Sequence, residues 1–271
     1  MDIKDLRNSM RITQTCRTIC GLMGFEAPEK ADAANPAVLA SASAALEGRK
    51  AERVLLYNPD AIGIWLYQKY TERFIPVIRN TSAALPVLSV MPSVTPVCFG
   101  SMYTGLMPRD HGIQAYVKPV IKADSLFDAA IRAGKKPVII STAGDSLTII
   151  YKERPMDYME CATPDECNEK ALETIAKNEH DIVLVYNANY DSTMHRNGPE
   201  AEISLAQIDH NAAAFETLCK ACDKAWAKYD RVYTFLPDHG CHEIDGDLGS
   251  HGLDMFEDMN IIHFYGFRKG D

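Results

Sequence analysis

The stretch "RVLLYNP", from Arg53 to Pro59, decides the fold of this chain, because apolar side chains follow one another in it without interruption from Val54 to Tyr57. A strand with one face in water alternates apolar and polar residues, whereas an unbroken apolar run is typical of a strand covered on both faces, as in a parallel sheet. Further runs of this kind predict strands at "ALPVLSVMP" (84–92), "KPVIIS" (136–141), "DIVLVYNA" (181–188), "RVYTFLP" (231–237) and "NIIHFYGF" (260–267).

Helical patterns lie between these runs, at residues 124–134, 163–178 and 200–229. Strands that alternate with helices predict an α/β fold, with a mostly parallel central sheet flanked by helices on both faces. Residues 1–50 also have a helical pattern and are predicted to form an N-terminal helical segment, ahead of one large domain over residues 51–271.

Composition excludes several classes of partner. The chain has 271 residues, 46% of them hydrophobic, which suffices for a sizeable core. Its net charge of -9 argues against a nucleic acid polymer as partner. No stretch approaches the ~20 apolar residues of a membrane span, and the N-terminus lacks the apolar run of a signal peptide. We therefore expect a cytoplasmic protein with no membrane partner, whose eight cysteines are reduced thiols. The sequence does not indicate the oligomeric state.

Acidic and histidine residues follow the ends of several predicted strands. In a parallel sheet these ends meet at one edge, where functional sites form. Each pair alone is a weak signal, since Asp209 and His210 form the same dipeptide inside the longest helical pattern and are predicted to lie on its surface. Mixed carboxylate and imidazole sets suit zinc or manganese. The residues at these ends are Asp60, Asp191, His195, Asp238, His239 and His251.

Thr95 follows another predicted strand and precedes a short helical pattern. A hydroxyl in that place lies near a helix N-terminus, which favours anions. On the residues alone, Thr95 is either a nucleophile or a helix cap.

Four segments in this order resemble motifs of the alkaline phosphatase superfamily, most closely its type I phosphodiesterase/nucleotide pyrophosphatase branch. They are "PSVTPVCFGSMYTGLMPRDHGI" (92–113), "NYDSTMHRNGP" (189–199), "PDHG" (237–240) and "GSHG" (249–252). The resemblance runs from about Arg53 to Phe267. It implies that residues 51–271 form an alkaline-phosphatase-like three-layer sandwich that acts as a metal-dependent hydrolase.

The resemblance also implies a site with two divalent ions. Zn²⁺ is the first expectation and Mn²⁺ is the alternative. Thr95 would contact the metals and act as the nucleophile, forming a phospho-threonine with a small anionic phosphoester. Three ligand carboxylates against two divalent ions leave a charge of about +1, which attracts a phosphate. The implied ligands are Asp191, His195 and His251 for one metal, and Asp60, Asp238 and His239 for the other.

One departure leaves the substrate open. The diesterase branch has an asparagine after its His-Gly-Ile motif, and here Tyr116 occupies that place in "HGIQAYVKP". If this segment is a strand, Gln114, Tyr116 and Lys118 share one face and are candidate substrate-binding residues. A charge at Lys118 would favour a dianionic monoester, whereas a plain surface strand is the alternative.

Several functions therefore remain open beside phosphodiester hydrolysis. A phosphomonoesterase, a phosphonate hydrolase or a phosphomutase could use the same site, although strand and helix patterns fill the interval in which mutases carry a cap domain. A non-catalytic metal- or ligand-binding protein is the alternative of a different class. Between the last ligands, Glu243, Asp245 and Asp247 are expected to form a solvated loop, with His242 exposed, and His111 is expected to be structural.

Overall fold

A computed structural model describes residues 7–271 and contains a seven-stranded sheet and a separate two-stranded hairpin. The order in the large sheet is β2-β9-β6-β1-β5-β3-β4, and β9 alone runs antiparallel to both of its neighbours. The predicted α/β fold with a mostly parallel sheet is confirmed. The strands are β1 (Arg53–Pro59), β2 (Ala83–Leu88), β3 (Pro137–Thr142), β4 (Asp157–Cys161), β5 (Ile182–Asn187), β6 (Arg231–Phe235), β7 (His242–Ile244), β8 (Leu248–Ser250) and β9 (Asn260–Arg268).

Helices connect the strands and cover the sheet, and one turn of 3-10 helix lies at Thr71–Phe74. The α-helices are α1 (Gln14–Met23), α2 (Pro36–Ala45), α3 (Ile64–Lys69), α4 (Ile75–Asn80), α5 (Thr95–Thr104), α6 (Pro108–His111), α7 (Leu126–Arg132), α8 (Ser146–Tyr151), α9 (Pro164–Lys177), α10 (Asn189–Asn197), α11 (Glu202–Ala225) and α12 (Phe256–Met259).

The central strands are buried on both faces, which explains their unbroken apolar runs. In β1, Val54 and Leu56 join the core under α1, α2, α5, α7 and α8, whereas Leu55 and Tyr57 join the core under α3, α4, α9, α10 and α11. Successive side chains of a strand point to opposite faces, so one continuous run supplies both cores. The result is a three-layer arrangement of helices, sheet and helices.

The first 50 residues contribute to the core on one face of the sheet. Ile12, Cys16 and Ile19 are buried there, in the cluster that also holds Phe99 of α5. The backbone N–H of Ile12 donates to the carbonyl of Leu88 at 2.9 Å, next to the edge strand β2. Their assignment to a segment distinct from the domain over 51–271 stays a prediction.

The structure departs from the sequence interpretation in three places. The strand expected over 84–92 ends at Leu88 and is partly exposed, because it lies at the edge of the sheet. Strand β4 and the β7–β8 hairpin were not predicted, since both are short, partly exposed elements without an apolar run. Residues 112–122 form neither strand nor helix, so Gln114, Tyr116 and Lys118 do not share the face of a strand.

Within residues 7–271, no helix has both the length and the apolar character that crossing a membrane requires.

Candidate metal centre

The carboxyl ends of β1, β5 and β6 lie side by side, and this arrangement assembles the predicted site. Pro59 pairs with Asn187, and the backbone N–H of Asp60 donates to the Asn187 carbonyl at 3.0 Å. Ala61 then adopts a positive φ of 64°, so the chain turns sharply after Asp60. The backbone N–H of Ala61 donates to Asp238 Oδ1 at 3.4 Å, which joins the turn after β1 to the loop after β6.

The first cluster consists of Asp191, His195 and His251. Asp191 lies in the first turn of α10, so the spacing of four residues places His195 on the same helix face, as the sequence predicted. Nε2 of His195 lies 3.2 Å from Asp191 Oδ1, and Nε2 of His251 lies 3.3 Å from the same oxygen. The ligand atoms of the cluster all lie within 4.8 Å of one another.

The second cluster consists of Asp60, Asp238 and His239, and all three side chains are buried. Nε2 of His239 lies 3.3 Å from Asp60 Oδ1 and 3.4 Å from Asp238 Oδ2. The two clusters adjoin, because the rings of His239 and His251 stack with their centroids 4.1 Å apart. The six residues therefore form two adjoining clusters.

The three imidazoles are held in one tautomer. Each Nδ1 faces a backbone carbonyl at 2.9 Å: Gly249 for His195, Gly240 for His239 and Ser93 for His251. A carbonyl oxygen only accepts, so each Nδ1 carries the proton and donates it. In the neutral imidazole each Nε2 then keeps its lone pair and points into the cluster, which is the arrangement of metal-binding histidines.

The carboxylates are buried close together, and this perturbs their titration. Burial raises the pKa of Asp60 to about 7, and the charge of Asp191 adds to the rise. Burial and the nearby Asp60 also raise the pKa of Asp238. For Asp191, burial acts in the same direction, but His195 and His251 outweigh it and lower the pKa. Burial, together with His251, lowers the pKa of His239 to about 3.

The residues present fit two divalent cations. Asp60 Oδ1, Asp191 Oδ1 and Asp238 Oδ2 are buried and have no hydrogen-bond partner. An unpartnered buried carboxylate oxygen is costly, and a bound cation removes that cost. Each cluster offers carboxylate oxygens and imidazole nitrogens without a thiolate, a donor set that suits zinc or manganese.

Thr95 lies against the second cluster as the first residue of α5. Its Oγ1 is 3.3 Å from Asp60 Oδ2 and 3.4 Å from His239 Nε2, and the residue is buried. The N-cap of α5 is Val94 and makes no side-chain capping bond, so the alternative that Thr95 is a helix cap is wrong. Its hydroxyl is directed to the cluster.

Tyr186 is a site residue that the sequence interpretation missed. Its hydroxyl donates to Asp60 Oδ2 from within β5, where the side chain is buried. This bond orients the carboxylate so that Oδ1 remains free for a cation. In the sequence, Tyr186 is one of several large side chains in an apolar run, and nothing distinguishes it from a core residue.

The segment with the candidate substrate-binding residues is irregular. Tyr116 is 60% exposed, and Gln114 is also exposed. Partial burial raises the pKa of Tyr116, and the carboxylates of Asp60 and Asp191 add to that rise. Lys118 Nζ donates to the Gly144 carbonyl at 3.0 Å.

The stretch between His239 and His251 differs in one respect from the prediction. His242 is buried, not exposed, because the hairpin folds back and its Nδ1 lies 2.7 Å from Asp258 Oδ1. The acidic residues Glu243, Asp245 and Asp247 are exposed, in agreement with a solvated loop.

Two other histidine predictions agree with the structure. His111 is buried and its Nε2 lies 3.0 Å from Ser101 Oγ, which fits a structural role. Asp209 and His210 lie on the outer side of α11, in ion pairs with Arg73 and Asp165.

Comparisons with known proteins agree with the motif resemblance. Residues 58–146 match the profile of the family described as type I phosphodiesterase / nucleotide pyrophosphatase. This part of the chain contains Asp60, Thr95 and Tyr116. No curated protein sequence matches that of this chain significantly.

Solved structures of similar fold include murine ectonucleotide pyrophosphatase/phosphodiesterase 5, with 21% identity and a TM-score of 0.56 over 72% of this chain and 58% of that one. The present chain thus spans less than two thirds of that protein. An inactive variant of the murine protein, with a threonine replaced by alanine, is described in complex with AMP, at 21% identity and a TM-score of 0.56 over 72% and 59% of the two chains.

Two further structures are similar at lower identity. A variant of TAB5 alkaline phosphatase with magnesium bound shares 11% identity, with a TM-score of 0.54 over 80% of this chain and 91% of that one. Phosphonoacetate hydrolase from Sinorhizobium meliloti 1021 shares 17% identity, with a TM-score of 0.52 over 72% and 59%. Likeness at such identities establishes the fold alone, an alkaline-phosphatase-like arrangement of helices on both faces of a mostly parallel sheet. The names of the phosphodiesterase and of the alkaline phosphatase agree with the prediction of a phosphoester hydrolase, and the name of the phosphonoacetate hydrolase agrees with the phosphonate alternative.

Proposed function

We propose that this chain is a two-metal-dependent hydrolase of phosphate esters, of the phosphodiesterase/nucleotide pyrophosphatase type, which acts through a phospho-threonine at Thr95. One observation carries the proposal. Thr95 Oγ1 lies within 3.4 Å of the second cluster, in which Asp60 and Asp238 each have a buried oxygen without a hydrogen-bond partner. A hydroxyl so placed is suited to nucleophilic attack beside bound cations.

The metal ligands would be the six residues of the two clusters, with Zn²⁺ as the first expectation and Mn²⁺ as the second. Bound divalent ions supply Lewis-acid charge that activates the attacking oxygen and stabilises the leaving one. The protein contributes orientation, since the carbonyls of Gly249, Gly240 and Ser93 fix the three imidazoles.

The reaction would proceed in two displacements. The Thr95 oxygen attacks phosphorus, the bond from phosphorus to the leaving oxygen breaks, and the leaving group departs with a proton. A water molecule then attacks the phospho-threonine, the bond between phosphorus and Thr95 breaks, and the hydroxyl is restored. The N-terminus of α5 at Thr95 provides a positive dipole end for the phosphate oxygens.

A phosphodiester is the substrate class that the segment 112–122 favours. Tyr116 is exposed and its hydroxyl is a neutral donor, whereas the ammonium group of Lys118 is engaged with the Gly144 carbonyl. A neutral donor suits the single charge of a diester, and a lysine suits a dianion. The inactive threonine variant of the murine relative in complex with AMP also supports nucleotide-derived esters.

A phosphomonoesterase is the second candidate, favoured by Lys118, whose Nζ lies only 5.7 Å from the centre of the Tyr116 ring. Phosphonate hydrolysis, phosphomutase activity and metal binding without catalysis remain alternatives on the same site. A small anionic substrate and a cytoplasmic location also stay predictions. The latter is supported by the eight cysteines, all of which are free thiols.

The test begins with the metal content of the purified protein and with turnover of a chromogenic phosphodiester, the matching monoester and a phosphonate ester. We expect about two divalent ions per chain and a clear preference for the diester. Thr95→Ala should abolish turnover and retain metal, whereas Thr217→Ala, a change at an exposed threonine of α11, should leave turnover unchanged. Full turnover by Thr95→Ala on every ester would refute the mechanism.

A further inference from the structure

The loop that supplies His239 and His251 closes on a buried carboxylate, Asp258, which belongs to neither cluster. Asp258 is fully buried in α12, and both of its side-chain oxygens are used. Oδ1 accepts from His242 Nδ1 at 2.7 Å, and Oδ2 accepts from the backbone N–H of Leu253 at 2.9 Å.

The same residue also holds the beginning of this loop. Its backbone carbonyl accepts from the N–H of Gly240 at 2.8 Å. Gly240 directly follows His239, and Leu253 lies two residues after His251. One residue therefore anchors the backbone next to a ligand of each cluster, while His242 anchors the stretch between them.

Close packing leaves this junction little freedom to move. A Cβ atom at Gly240 would lie 1.9 Å from the Glu257 carbonyl oxygen, and one at Gly63 would lie 2.7 Å from the same atom. The backbone before Asp258 is thus packed against the turn after β1 and the loop after β6. This packing fixes the position of Asp258, and its hydrogen bonds to the loop restrain the loop in turn.

The anchored imidazoles belong to different clusters and contact each other. His239 lies with Asp60 and Asp238, His251 lies with Asp191 and His195, and their rings stack at 4.1 Å. A shift of the loop at either end therefore alters the ligand geometry of both clusters.

We propose that Asp258 and His242 are positioning residues that set His239 and His251 relative to each other, and so couple the two metal sites. The inference rests on the proposed function only in that the clusters bind divalent ions. It adds residues outside the ligand set, and it predicts that a change at a residue of neither cluster weakens metal binding at both clusters at once.

The test measures zinc and manganese binding to metal-free protein by calorimetry, with no need for turnover. His242→Leu removes the donor to Asp258 and should weaken binding at both sites by roughly 10- to 100-fold. His242→Asn places an amide N–H near the position of the imidazole Nδ1 and should restore affinity to within about threefold of wild type. If His242→Leu fails to fold, the metal affinity of Asp258→Asn is compared with that of the wild type instead.

The matched control is His180→Leu. His180 is also a buried histidine with an aspartate 2.7 Å from its ring, but it precedes β5, at the edge of the sheet opposite the clusters. We expect this variant to lose thermal stability and keep wild-type metal affinity. Equal losses of affinity in His180→Leu and His242→Leu would show a merely structural effect and overturn the inference, as would unchanged affinity in His242→Leu and Asp258→Asn.

The two proposals fail in different ways. If the wild-type protein binds neither zinc nor manganese, both the proposed function and the proposed coupling of the two metal sites are refuted. If the wild type binds two ions and the variants match it, only the coupling is refuted. Loss at one site with the other unchanged would also refute it, because the proposal requires both to weaken.

Discussion

Replacing Tyr186 by phenylalanine would test the ligand assignment most directly, because the change removes one oxygen atom and leaves the ring. In the native protein, the Tyr186 hydroxyl donates to Asp60 Oδ2, and the same oxygen accepts from Thr95 Oγ1 at 3.3 Å. Asp60 is buried, so water does not replace the lost donor. We therefore expect Tyr186→Phe to weaken the metal site that contains Asp60.

The magnitude follows from two independent considerations. A hydrogen bond to a charged group contributes about 1.5–3 kcal/mol. Loss of a residue that orients a metal ligand costs roughly 10- to 100-fold in metal affinity, or about 1.4–2.7 kcal/mol. The two ranges agree, and we expect the zinc affinity of this one site to fall by roughly 10- to 100-fold while the other site keeps its affinity.

The expected loss also depends on pH. The Tyr186 bond lowers the pKa of Asp60, which burial raises to about 7 in the metal-free protein. Without that bond the pKa rises further, so a larger fraction of Asp60 is protonated and must release its proton when the metal binds. The affinity difference between wild type and Tyr186→Phe should therefore be larger at pH 6 than at pH 8.

Zinc titration of the metal-free proteins, with a competing chelator, is the assay. Tyr233→Phe is the control, because Tyr233 is equally buried and its hydroxyl donates to the Asp223 carboxylate at 2.7 Å. Tyr233 is the central residue of β6 and its hydroxyl bonds to Asp223 of α11, which belongs to neither cluster, so removal of this hydroxyl should reduce stability and leave metal affinity unchanged. An unchanged zinc affinity in Tyr186→Phe, or an equal loss in both variants, would refute the assignment of Asp60 as a ligand oriented by Tyr186.

Two further changes probe stability and the first cluster. Burial lowers the pKa of His111 to about 4 from 6.5, so its neutral form stabilises the fold above pH 6.5 and that contribution is lost as the pH falls towards 4. In chemical unfolding, His111→Gln should therefore lose about 2 kcal/mol less stability between pH 7 and 5 than wild type does, and parallel pH profiles would contradict this. A Cβ on Gly249 would lie 2.4 Å from the Met194 sulfur and displace the carbonyl that orients His195. Gly249→Ala should weaken metal binding at the first cluster by roughly tenfold in the same titration, and wild-type affinity would show that this carbonyl does not orient the ligand.

The fold was predictable because the central strands are buried on both faces. The apolar runs of β1, β5 and β6 appear in the sequence as uninterrupted segments, and the residues that follow them had to meet at one edge of a parallel sheet. Elements with less burial gave weaker patterns. Strand β4 lies at the edge of the sheet and is partly exposed, and the strands β7 and β8 have only three residues each. Neither element therefore has an apolar run in the sequence.

The candidate ligands were predictable for a related reason. Asp60, Asp238 and His239 directly follow their strands, and the spacing of Asp191 and His195 matches one helical turn. Local geometry therefore determines these positions within a few residues of a strand end. The motif resemblance then grouped them into two sets, and the structure brings together the same two sets.

The sequence by itself thus determined the layered fold, the edge of the sheet at which the candidate site lies and the chemical types of its candidate ligands. Tertiary structure alone decided which residues contact the candidate ligands and their loop, since Tyr186 bonds to Asp60 from a strand distant in sequence and Asp258 of α12 bonds to the backbone beside His239 and His251. It also decided that His242 is buried, since its ring packs against the carboxylate of Asp258. The polar sequence around His242 does not predict this contact. The periodicity of apolar residues in the sequence indicates which side chains are buried. It does not indicate which distant residue is the hydrogen-bond partner of a buried polar group.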